Sequence, residues 1–188
     1  MKYFVGLLML FFLNMSFCAS AQKVHFELTT SPSILFDFNT IHKYETGITV
    51  LNAITLNLYV EAAAPRFDLY VGAETAVAGE WDVNTTYSNN GLTPTVDMVK
   101  VRFRNANSTS QVAGYFDLQD IATPTYIIGT AASDVLVNCP AVGTNAPGKY
   151  DTSPGCYKFR VDLKIKPGFT FQSGSYILQI DYVIVEDL

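Results

Sequence analysis

Few side chains in this sequence have the types and spacing that chemistry requires. The two histidines, His25 and His42, stand apart. Neither has Cys or carboxylate neighbours at the short spacing of a metal site, so both read as surface residues. No G-x-S-x-G occurs, and no Ser or Cys stands with a base and an orienting group, as nucleophilic catalysis needs. Glu80 with Asp82, and Asp117 with Asp120, come nearest to the carboxylate pair of a glycoside hydrolase. Glu80 and Asp82 share a face if 80–83 is a strand, but surface acids near turns look the same. Asp82, Asn84, Asn89 and Asn90 offer oxygen ligands of the kind calcium takes, without the spacing of an EF-hand loop. They read as polar turn residues. The chain is therefore expected to be no enzyme and to hold no cofactor and no metal.

Binding chemistry is better represented. Trp81 and Tyr87, with Asn89 and Asn90, border a polar stretch, and aromatic faces pack on the apolar faces of ligands such as sugar rings. These four are the candidate ligand-binding residues; the competing reading makes Trp81 a packing residue. Lys100, Arg102 and Arg104 form a basic stripe on one outward face. It suits an acidic partner, or it is a solvated face that guards a sheet edge.

The elements that must position these residues are strands. Tyr157 to Ile165 alternates throughout: Tyr157, Phe159, Val161, Leu163 and Ile165 face a core, while Lys158, Arg160, Asp162 and Lys164 face water. Pro167-Gly168 turns the chain. A long run from Tyr176 to Glu186 follows, with Tyr176, Leu178, Ile180, Tyr182 and Ile184 on one face. Earlier strands are expected at Val24–Leu28, Ile34–Phe38, Ile48–Glu61, Phe67–Val71, Glu80–Val83, Val99–Phe103, Tyr115–Leu118 and Thr125–Ile128. Leu51-Asn52-Ala53 falls out of register and predicts a bulge or bend in the long strand. Thr46-Gly47 is a turn, and Asn90-Gly91 is a hairpin-type signal. Ala131–Asp134 is at most one helical turn, and Val135–Val137 leads into Cys139. Short strands with turn signals between them, and little or no helix, make an all-β antiparallel sandwich, Ig-like or jelly-roll, of about 8–11 strands.

Composition agrees. The chain is 49% hydrophobic and only 15% charged, rich in β-branched and aromatic residues that favour strands. Lys2, the apolar run Phe4–Leu13 and Ala19-Ser20-Ala21 read as a secretory signal peptide over 1–21. That run is too short for a comfortable membrane span. Cys18 raises the alternative of a lipid anchor, against which Phe17 stands where such signals carry a small residue. The mature chain, 22–188, is expected to be one domain with no transmembrane span, placed in the periplasm, at the cell surface or outside the cell. Without Lys2 it carries 11 basic and 17 acidic residues, net −6, which gives no footing for nucleic acid. Its two cysteines, Cys139 and Cys156, suit a disulfide in an oxidising compartment.

Export, a short alternating N-terminal segment (Val24, Phe26, Leu28), many strands, one cysteine pair and a long last strand together resemble the β-sandwich subunits of Gram-negative surface fibres. These are the chaperone–usher pilins and the spore-coat-U-like domains. Gly174 stands fourteen residues before the last, as a pilin glycine does. The penultimate pilin tyrosine is Asp187 here, with Tyr182 the nearest. The cysteines lie nearer the C-terminus than is common in pilins. The resemblance implies a structural or adhesive subunit that joins copies of itself, or a related subunit, by strand addition. Gln22–Thr30 would be the donated segment. The alternatives are that this segment pairs within its own sheet, and that the domain is a self-contained module binding a glycan or another ligand.

Overall fold

The computed structural model describes residues 24–29, 33–61, 66–106, 114–129 and 145–186. The leader at 1–21, the 131–134 turn, 135–137, Cys139 and Asp187 lie outside the described residues.

The first sheet is built around β2 (Ile48–Val60), with β1 (Val24–Leu28) on one side and β9 (Lys158–Ile165) on the other. β5 (Val99–Asn105) and β6 (Phe116–Asp117) continue it, in the order β1-β2-β9-β5-β6, every pair antiparallel. β8 (Gly148–Lys149) pairs the end of β2 beyond β9. The second layer has β11 (Gln179–Glu186), β3 (Phe67–Glu74) and β7 (Thr125–Ile128) in that order. A two-stranded ribbon of β10 (Gly174–Ile177) and β4 (Asp82–Thr86) extends it. The expected antiparallel sandwich is what forms.

Alternation sets the faces. Leu56 and Leu58 of β2, Val101 and Phe103 of β5, and Phe159 and Val161 of β9 are all buried, as are Leu69 and Val71 of β3. They form one core with Ile128, Tyr182 and Ile184 from the other layer. The Phe103 and Tyr182 rings meet across it at 5.9 Å. Each such side chain contributes roughly 1.5–3 kcal/mol by leaving water.

Four expectations need correction. Ile34–Phe38 keeps its alternation, with Ile34, Phe36 and Phe38 packed on the core, but it is not a strand. Among the described residues it pairs with no strand. A short helix, α1 (Ile41–Thr46), follows. The Thr40 hydroxyl accepts from the Lys43 amide at its start, and Gly47 ends it at φ 80°. The final run breaks at Leu178 into β10 and β11, because β3 and β4 opposite are themselves separated. No hairpin forms about Asn90-Gly91: β4 pairs β10 instead, and only a bridge between Glu80 and Thr95 closes that loop. Tyr157 is not in the strand. It ends a helical turn, α2 (Pro154–Tyr157), and still reaches the core.

The bulge in β2 is present. The register passes from Val50↔Leu163 to Ile54↔Val161, so β2 has two residues more than β9 there. Asn52 takes the left-handed conformation, φ 52°, which Asn tolerates better than most residues.

Candidate functional site

Between the two layers, under the β10–β11 break, lies a cavity of about 660 Å³. The first sheet supplies Ile54, Leu163 and Ile165, and the 33–36 segment closes one side. Trp81, Ile180 and Tyr182 belong to the opposite wall. Ile34, Leu35 and Phe36 line it without pairing to any described strand, and the last strand breaks beside it at Leu178. No Asp, Glu, Lys or Arg among the described residues lines it. Tyr182 is only 9% exposed, its hydroxyl has no hydrogen-bond partner, and burial pushes its phenol well above the ordinary value.

β1 bounds the same region. Among the described residues it is the edge strand of the first sheet and pairs with β2 alone, from Val24↔Val60 to Leu28↔Leu56. Val24 is buried, Phe26 packs on the core, and Leu28 reaches the cavity wall. β1 also approaches β11 of the other layer.

The candidate ligand-binding residues do not converge. Trp81 and Tyr87 sit at opposite ends of β4, some six residues along an extended chain, or about 20 Å. The Trp81 indole donates to the Thr95 carbonyl (2.9 Å) and packs on the core. Tyr87 is 72% exposed, and Asn89 and Asn90 are exposed beside it. Trp81 faces the cavity instead. Glu80 and Asp82 do not join: the Asp82 carboxylate accepts from the Ala76 amide.

The basic stripe is not a free cationic face. Lys100 pairs with Asp117 across β5 and β6. Asp162 of β9, expected in water, is fully buried. Its Oδ2 accepts from Arg102 Nε and Nη2 (2.9 and 2.6 Å) and from Arg104 Nε (2.7 Å). Its Oδ1 accepts from Arg104 Nη2 and the Asn52 amide, both at 2.8 Å. Asn52 Oδ1 in turn accepts from Arg104 (3.0 Å), and the Tyr115 ring lies 4.5 Å from the Arg102 guanidinium. Burial alone would raise the Asp162 pKa. The bonds from Arg104, the Asn52 amide and Arg102 outweigh it and hold the carboxyl below its ordinary value. The alternation showed which face Asp162 is on; that long neighbours and the bulge would cover it depends on cross-strand register.

An aromatic group on the outer face was missed. His25 stacks on Tyr59 at 4.6 Å, and Tyr150 meets Tyr59 edge-on at 5.0 Å. A hydrogen bond with Tyr150 is the main reason the Tyr59 phenol is pushed up to about 12. The outward position of Tyr59 on β2 was the available signal, but the β1 register that brings His25 beside it was not.

Among the described residues no three His, Cys, Asp or Glu side chains are placed to hold a metal, and no helix is long and apolar enough to cross a membrane. No protein-family model matches the chain, and no curated protein matches it.

Proposed function

We propose that this is an exported, non-enzymatic structural or adhesive surface protein whose first strand exchanges between copies. The observation that carries the reading is the position of β1. Among the described residues it is an edge strand held by one ladder, its Val24 and Phe26 are packed on the core, and Leu28 at its end lines the cavity. An edge strand presents unpaired main-chain groups, and an equivalent segment from another copy satisfies the same ladder and the same side-chain contacts. The fibre-subunit resemblance points the same way.

Light scattering tests it, with residues 22–188 compared with a chain that starts at residue 31. The full chain is expected to form concentration-dependent assemblies and the shortened chain to stay monomeric, less stable by about 3 kcal/mol for the lost Val24 and Phe26 burial. Added 22–30 peptide should restore its Tm. A full chain that remains monomeric at all concentrations sinks the proposal.

Export also implies the Cys139–Cys156 disulfide. Cys156 is buried at the head of β9, and Cys139 lies outside the described residues. The mature chain, denatured without reductant, is expected to take up no iodoacetamide, and two equivalents after reduction. Labelling before reduction would refute the bridge.

A second reading, a self-contained ligand-binding module, is favoured by the inter-sheet cavity. The His25–Tyr59–Tyr150 group, with His25 exposed and both tyrosines half-buried, offers an outer aromatic surface on which a glycan would stack.

A further inference from the structure

The two outer faces of the sandwich carry opposite charge. On the first sheet, β5, β6 and β9 lie side by side. They bear six cations, Lys100, Arg102, Arg104, Lys158, Arg160 and Lys164, against two carboxylates, Asp117 and Asp162, net +4. All six cations occupy outward positions. The register sets Lys100 opposite Lys164 and Arg104 opposite Arg160, and like charges directly opposite one another destabilise a sheet. Asp117 and Asp162 relieve the β5 member of each pair. Arg160 and Lys164 of β9 have no carboxylate partner among the described residues.

On the second layer, β3, β7 and β11 hold four carboxylates and no Lys or Arg, net −4. Glu74 and Asp181 are held together there, each accepting from the Gln179 side-chain amide at 3.0 Å. No described cation pairs with either. Tyr126 and Val185 are exposed on the same face. Each face lacks what the other supplies.

We propose that the basic outer face of the first sheet docks on the acidic outer face of the second layer of another copy, with Arg160 and Lys164 meeting Glu74 and Asp181. The two faces point in opposite directions, so the contact is heterologous and propagates as an open stack. The mature chain is net −6, which disfavours random approach between copies and selects this orientation. The proposal rests on the reading of the chain as a self-assembling subunit, and adds to strand exchange a second contact of different chemistry.

Salt separates the two contacts. Going from about 10 mM to about 1 M salt shortens the screening length from roughly 30 to 3 Å. Self-association of residues 22–188, read as light-scattering mass, should weaken at least about 10-fold over that range. What persists at high salt is strand exchange, and the comparison with the shortened chain is made there. Arg160→Glu with Lys164→Glu, and separately Glu74→Lys with Asp181→Lys, should each abolish the salt-sensitive association while the circular dichroism spectrum stays unchanged. An equal mixture of the two double variants should regain it, because the first keeps its acidic face and the second its basic face. If either variant misfolds, the salt dependence of the unaltered chain decides. A mass that does not change with salt, or a mixture of folded variants that stays dissociated, overturns the proposal. Binding of polyglutamate without self-association also overturns it, and assigns the basic face to an acidic partner of another kind. A chain that is monomeric at high salt but associated at low salt removes strand exchange and leaves this contact standing.

Discussion

Replacing Arg102 and Arg104 together by methionine is expected to cost about 3–5 kcal/mol of folding stability at neutral pH, because it leaves Asp162 buried as an unpaired carboxylate. All but one of the hydrogen bonds described for its oxygens come from these guanidinium groups; the other is the Asn52 amide. The methionines retain much of the apolar stem packing, so the loss reports the charge. Asp162→Asn should be milder, since it removes the buried charge as well as the pairing. Urea midpoints with an unchanged m-value measure both. A double variant within 1 kcal/mol of the parent would show that the network is ornamental.

The same carboxylate sets a pH dependence. Its folded pKa lies below the unfolded value of about 3.9. Its contribution is therefore fully present above that value and is lost as pH falls through the depressed folded pKa. Acid destabilisation below pH 4 should be steep in the parent and shallower in Asp162→Asn. Parallel curves would place the acid sensitivity elsewhere.

Gly148→Ala is expected to cost about 3 kcal/mol, at the upper end for overpacking. A methyl group there would fall on the Tyr157 ring. That ring has no room to yield: it is 1% exposed, leans on Phe67 at 6.2 Å, and its hydroxyl donates to the Ala146 carbonyl at 2.8 Å, with the Pro147 carbonyl at 3.1 Å. Gly148 is also a β8 residue paired with Val60, so backbone retreat would break the ladder. Combining Gly148→Ala with Tyr157→Leu should recover part of the loss, since the obstructing ring is gone. No recovery in the thermal midpoint would mean that the clash is not the cause.

Much of the fold was legible because strand alternation is local. Leu56 and Leu58, Val101 and Phe103, and Phe159 and Val161 face the core as their spacing requires, and the run 51–53 breaks register where the bulge lies. Errors arose where local pattern and pairing part company. Ile34, Phe36 and Phe38 alternate like a strand because they pack on the core, yet no described strand pairs with them. Tyr176 to Glu186 reads as one strand, but its partners β3 and β4 are two.

The candidate site was less legible for the same reason. Trp81 was singled out as the one tryptophan near a polar loop, and it does line the cavity, but Tyr87 stands a strand length away. Tyr182 was read as a core residue, and nothing in its spacing shows that its hydroxyl lacks a partner. By itself the sequence determined most of the strands, the side on which their apolar residues lie and the bulge, because each follows from the two-residue period of a strand. Register, the covering of Asp162, the meeting of His25 with Tyr59 and the cavity were decided only in the tertiary structure, because each depends on contacts between residues distant in the chain.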